Sequence, residues 1–104
     1  MSLRPPGQYS NPGKVSDSIG LLDQEILAEK AAALGRAGER VELALAELNA
    51  HEGDADERTR LLKAAAEAVY AYFIQRELCG MRRHQGVIRE YQIPNQVLAR
   101  LGAK

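Results

Sequence analysis

Leu27, Leu34, Val41 and Leu48 recur at seven-residue intervals, a spacing that sets four side chains in one row on an α-helix and has no counterpart in a strand. Ala31, Gly38 and Leu45 fill the alternate positions. One long helix from about Asp17 to Ala50 is therefore predicted, with Ser16 or Asp17 as its N-cap and a seam of the kind that packs against a second helix. Ala31 and Gly38 in this seam are small, so the partner backbone must come close there. Gly35 and Gly38 sharpen that demand, because a glycine inside a helix costs ~1 kcal/mol against alanine and two within one turn point to a tight helix crossing.

The rest of the composition agrees with helices. Ala, Leu, Glu and Arg dominate, tryptophan is absent, and 104 residues suffice for one domain and not for two. Lys plus Arg and Asp plus Glu both number 14, so no global field draws the chain to nucleic acid or acidic lipid. No apolar run approaches the ~20 residues of a membrane span, and the N-terminus lacks the apolar stretch of a signal peptide. The expectation is a soluble, cytoplasmic protein. Residues 1–15 hold all but one of the four prolines and no periodic apolar face, the pattern of a disordered tail ahead of a single helical domain over 16–104.

The period breaks at Asn49-Ala50-His51-Glu52-Gly53-Asp54, with Gly53 placed as the residue that closes the first helix and Asp54 as the N-cap of the next. Glu57 completes an aspartate version of the capping box. The second helix is predicted from about Ala55 to Arg83 or beyond, with Leu61, Leu62, Ala65, Ala66, Val69, Tyr72, Phe73, Leu78 and Cys79 as its apolar positions. Gly86 reads as a stop, Val87 to Tyr91 as a short helix, Ile93-Pro94 as a non-helical step, and Pro94 to Gly102 as a last short helix carrying Val97, Leu98 and Leu101.

Folding the two long helices back about residue 52 brings Gly35 and Gly38 level with Ala65, Ala66 and Val69, small against small. Arg76 falls near Glu25 and Glu29, and an interhelical ion pair is expected there. Residues 17–52 hold eight acids and three bases, and residues 76–104 six bases and two acids, so one half neutralises the other without an outside partner. The apolar stripe of the second helix is too wide for one neighbour, its Tyr70, Phe73 and Leu62 side needing cover. The short C-terminal helices can cover part of it, and a pair of hairpins forming a four-helix bundle, the commoner solution, would bury a continuous core.

Chemistry is sparse. No Glu-x-x-His pair exists to build a di-iron bundle, and the lone Cys79 can form neither an intrachain disulfide nor a zinc site, so no metal or cofactor is expected. His51, Glu52, Asp54 and Asp56 cluster at the turn, where capping explains the acids. Gly35-Arg36-Ala37-Gly38 lies in a helical pattern with no preceding strand and is a packing motif rather than a phosphate loop. Two constellations remain. Arg76, with Tyr72 and Glu29, could hold the acid group of a small apolar ligand in a pocket lined by Tyr70, Tyr72 and Tyr91. Arg82, Arg83 and Arg89, with Arg100 on the last helix, form a basic helix-turn-helix-like segment, although few polar residues are available to read bases.

Phe73-Ile74-Gln75-Arg76-Glu77-Leu78-Cys79-Gly80-Met81-Arg82, followed by Val87-Ile88-Arg89-Glu90-Tyr91-Gln92-Ile93-Pro94 and Val97-Leu98-Ala99-Arg100-Leu101-Gly102, resembles a family of short uncharacterised bacterial helical proteins, a domain of unknown function. The likeness extends weakly to Leu34-Gly35-Arg36-Ala37-Gly38. It implies a helical fold and contributes no catalytic residue or ligand.

The sequence thus predicts an all-α chain: an antiparallel hairpin of two long helices with two short C-terminal helices, assembled as a dimer or tetramer. It would act by protein interaction rather than catalysis. The competing readings are a nucleic-acid binder and a ligand-binding or enzymatic bundle.

Overall fold

The computed structural model describes residues 12–102, with side chains described from residue 20 onward. It contains four helices: α1 (Pro12–Asn49), α2 (Ala55–Leu78), α3 (Gln85–Glu90) and α4 (Asn95–Leu98). No described residue lies in a strand. The predicted tail falls mostly on residues 1–11, outside the described residues. Residues 12–15 already belong to α1, so Ser16 and Asp17 lie inside that helix and not at its start.

The chain divides into two compact units, residues 1–30 and 31–104. In the first, the described side chains Leu21, Leu22, Ile26 and Leu27 are all exposed, Leu27 at 63%. The seven-residue row thus turns inward only from Leu34, which is half-buried, through Val41 and Leu48, which are buried.

The second unit holds the core. Ala37, Val41, Leu45 and Leu48 of α1 form one cluster with Leu61, Leu62, Ala65, Ala66, Val69, Tyr72 and Phe73 of α2, closed by Val87, Ile93 and Val97. Val41, Val69 and Val97 are fully buried, each contributing roughly 1.5–3 kcal/mol of apolar burial. Leu62 and Phe73, expected to need a second copy for cover, are buried within the chain. Helix α4 packs on α2, where Arg58 Nη2 donates to Gln96 Oε1 at 2.8 Å, and the ring of His84 stacks on Phe73.

Each helix end has its own chemical cause. Asp54 caps α2, its Oδ1 accepting from the Glu57 amide at 2.9 Å, a contact whose loss costs ~1 kcal/mol. Only that half of the capping box is made: the Glu57 carboxylate accepts from Arg60 Nε at 3.2 Å. Gly53 does not close α1, which ends at Asn49. The site is crowded, since a Cβ would sit 3.1 Å from His51 Nε2 and that ring would have to give way slightly.

Helix α2 stops at Leu78, short of the predicted Arg83. The cause is Gly80, with φ +89°: its amide donates to the Glu77 carbonyl at 3.0 Å, and the Met81 amide donates to the Arg76 carbonyl at 2.9 Å. These two bonds define a Schellman motif, in which a left-handed residue turns the chain back over the last helical carbonyls. Helix α3 ends the same way without a glycine. Gln92 takes φ +53°, its amide donating to the Arg89 carbonyl and that of Ile93 to Ile88. Gly86, read as a stop, lies inside the first turn of α3. Pro94 precedes α4 as its N-cap rather than joining it, and Gly102 has φ +75° where the chain turns after it.

Candidate functional site

Helix α2 carries Arg58, Arg76 and Glu77, whose side chains reach the C-terminal segment. At its C-terminal end, Arg76 is half-buried and holds the connection to α3 from two directions. Its carbonyl accepts from the Cys79 and Met81 amides at 3.0 and 2.9 Å. Its side chain donates from Nη2 to the Arg83 carbonyl at 2.8 Å and from Nε to His84 Nδ1 at 3.1 Å. The guanidinium also lies 5.9 Å from the centre of the Tyr72 ring, within cation–π range.

His84 is enclosed in turn. Its ring is parallel to that of Phe73, centroids 4.1 Å apart at 2°, and Nε2 lies 3.0 Å from Glu77 Oε2. Because a guanidinium can only donate, Nδ1 must be the bare nitrogen; Nε2 then carries the proton and donates to Glu77. The sequence reading carried the second helix on to about Arg83, next to His84. In the structure Gly80 ends that helix, and His84 returns over the last turn of α2.

Next to this network, Tyr72 meets Tyr91 edge-on, and both rings approach Gly38. The glycine does permit a close approach, but of two tyrosines rather than of the alanines expected opposite it. Gly35 is exposed and faces open space. Burial pushes the Tyr91 hydroxyl up to about 12, helped by a side-chain hydrogen bond with Tyr72 and by the charges of Glu42 and Glu90.

Among the residues named as ligand candidates, Arg76 and Tyr72 are therefore brought together, with Tyr72 buried. Glu29 is exposed on the part of α1 that belongs to the first unit. Among the basic candidates, Arg82 and Arg83 are exposed in the α2–α3 connection and Arg89 is exposed in the last turn of α3. Arg100 lines a different feature, a groove of about 610 Å³ between α2 and the C-terminal turn that it shares with Thr59, Lys63, Glu67 and Tyr70. Tyr70, grouped by sequence with Tyr72 and Tyr91, faces this groove instead. Among the described residues, no group of three or more His, Cys, Asp or Glu side chains is placed to hold a metal ion. No described helix is long and apolar enough to cross a membrane.

One feature of α2 escaped the sequence reading. Arg60, Ala64, Glu67, Ala71, Ile74 and Leu78 alternate at spacings of four and three, and all are exposed. They form a second helical row beside the buried one. Leu78, assigned to the core by its apolarity, is 62% exposed, and Ile74 is 41% exposed. The signal was present in the spacing, but the stronger apolar row of the same helix masked it.

Over residues 1–104 the chain matches the sequence model of DUF6665, a family of unknown function. The chain belongs to that family. No curated protein and no solved structure matches it. Membership in DUF6665 agrees with the resemblance carried by residues 73–102 and assigns no activity, so what this DUF6665 chain does must be argued from its surfaces.

Proposed function

We propose that the protein is a non-catalytic helical interaction module whose partner is a second copy of itself, docked along the outer row of α2. The observation that carries this reading is the exposed row Ala64, Ala71, Ile74 and Leu78 at coiled-coil spacing, with the half-exposed Tyr70 beside it. Such a row is what a helix presents to another helix.

The row is complementary to itself. An antiparallel copy related by a two-fold axis at the level of Val69 sets Ala64 opposite Ile74 and lays the stem of Arg60 along Leu78, small against large and aliphatic against aliphatic. Zero formal net charge means that two copies approach without long-range repulsion. Two hairpins joined in this way make a four-helix bundle. The nucleic-acid reading draws less support. Helix α4 has four residues, about 6 Å of helix, far short of one that reads a major groove.

Light scattering over a range of concentrations tests the proposal on the wild type and on Ile74→Glu and Leu78→Glu. A dimer that becomes monomeric in both variants at unchanged helix content supports it. A wild type that stays monomeric at high concentration, or variants of unchanged mass, would refute it.

A further inference from the structure

We infer that His84 is a protonation-dependent latch: as the neutral ring it fastens the α2–α3 connection to Arg76, and as the cation it lets that fastening go. The inference stands apart from self-association, since none of its groups belongs to the outer row of α2.

The geometry sets two opposite demands on one ring. Arg76 Nε donates to Nδ1 at 3.1 Å, which requires Nδ1 to be without a proton. Glu77 Oε2, at 3.0 Å from Nε2, accepts from Nε2–H in either state of the ring. Taking up a proton at Nδ1 therefore sets a donor against a donor on the Arg76 side and leaves the Glu77 contact in place. The ring cannot keep both partners once charged. It stays with the carboxylate, and the guanidinium must turn away.

The charged side chains bonded to the ring are Arg76 and Glu77, both from α2. Its chain neighbour Arg83 is exposed and offers Arg76 only its carbonyl. On α3, which His84 precedes, Arg89 and Glu90 are exposed, and α3 takes no side-chain cap from His84. The stacked face against Phe73 is apolar. The His84 side chain is only 14% exposed, so it cannot turn freely into solvent.

What the latch governs follows from the second bond that Arg76 makes. The same guanidinium holds the Arg83 carbonyl, so Arg76 spans the connection at adjacent residues, Arg83 and His84. Losing Nδ1 removes the contact that fixes the plane of the guanidinium, and the backbone bond from Nη2 loosens with it. The Schellman bonds of Gly80 and Met81 are backbone-only and stay. The stretch that loses its fastening to Arg76 is residues 82–83, which carries the exposed Arg82 and Arg83, while His84 stays with Glu77.

The test uses the full chain labelled with nitrogen-15, followed from about pH 8 to about pH 5, the span over which imidazoles titrate. The expected neutral form of His84 is the Nε2–H tautomer. The Arg76 Nε–H signal is protected at the upper end, and on acidification it loses at least several-fold of that protection in step with the His84 ring shifts. In His84→Gln, whose side-chain amide can accept from Arg76 and donate to Glu77 at every pH, that step disappears. A neutral ring in the Nδ1–H form, or Arg76 Nε–H protection indifferent to the His84 titration, would overturn the inference. Both of those readings come from the wild type, so the conclusion does not depend on a variant folding.

Discussion

The ring of Tyr91 meets that of Tyr72 edge-on, centroids 5.8 Å apart at 70°, at the point where α1 carries no side chain. A Cβ on Gly38 would lie 3.3 Å from Tyr91 Oη and 3.4 Å from Tyr72 Cε1. Those contacts are tight enough that one of the rings must shift. Gly35, three residues earlier, would meet nothing within 4 Å. The two glycines of one helical turn thus do different jobs. Gly35→Ala is expected to raise stability by up to ~1 kcal/mol, the helix-propensity gain alone. Gly38→Ala should gain less, and Gly38→Leu should lose ~1–3 kcal/mol through overpacking. Urea unfolding followed by circular dichroism separates them; equal gains for the two alanine variants would show that the tyrosines do not require the glycine.

Tyr91 links this contact to pH. Its hydroxyl is pushed up to about 12 by burial, then by its bond with Tyr72. A raised folded value favours the protonated form in the native state. The stabilisation is fully present below the ordinary tyrosine value and is lost as pH rises through the folded one, because the unfolded chain ionises first. The urea midpoint is expected to fall between about pH 9 and about pH 11.5, and to fall less in Tyr91→Phe. Parallel curves for the two proteins would contradict the assignment.

The two Schellman ends give a matched pair of substitutions. Gln92 holds φ +53° and Gly80 φ +89°, and the left-handed region costs a residue with a Cβ roughly 1–2 kcal/mol. Gln92→Gly removes that strain against a smaller entropic loss in the unfolded chain, for a net gain of up to about 1 kcal/mol. Gly80→Ala should lose roughly 1–2 kcal/mol. Thermal unfolding of both variants checks the signs, and a destabilised Gln92→Gly would mean that the glutamine side chain holds the turn.

Glu67 lies mid-way along the outer row of α2, between Ala64 and Ala71. In an antiparallel dimer centred near Val69 each Glu67 faces the Ala71 of the other copy and lies about 6 Å along the axis from the other Glu67, and like charges that close weaken association. Glu67→Leu is expected to tighten the dimer by at least several-fold in Kd, read by sedimentation equilibrium. Unchanged or weaker association would place the interface elsewhere.

How much of this was legible beforehand depended on the range of the interaction concerned. The turn at residues 50–54, the Asp54 cap, the inward row from Leu34 to Leu48 and the Ile93-Pro94 break are local signals, written in periodicity and capping chemistry. Gly80 was passed over because a helical apolar pattern continued across it, and a lone glycine inside such a pattern reads as tolerated rather than as left-handed. The short helix expected at Val87 to Tyr91 is present as Gln85–Glu90, yet Gly86 was misjudged for the opposite reason: a glycine near a boundary reads as a stop, although the first turn of a helix accepts it.

The candidate site was less accessible. Arg76 was recognised as a charge that needs partners, but the partners described here, His84 and the Arg83 carbonyl, come from a connection that the continuous-helix reading had drawn straight. The grouping of Tyr70 with Tyr72 and Tyr91 failed for a geometric reason. Residues two apart on a helix point about 200° apart, so Tyr72 enters the core while Tyr70 faces the groove.

The sequence by itself determined that this chain is helical, where its principal turn falls and which row of α1 can be buried, because those properties depend on neighbours within a few residues. Only the tertiary structure decided that Leu62 and Phe73 are buried within the chain, that Gly38 receives two tyrosines, and that His84 closes over Arg76. Those outcomes depend on where Gly80 and Gln92 redirect the backbone, and a change of direction at one residue resets every contact beyond it.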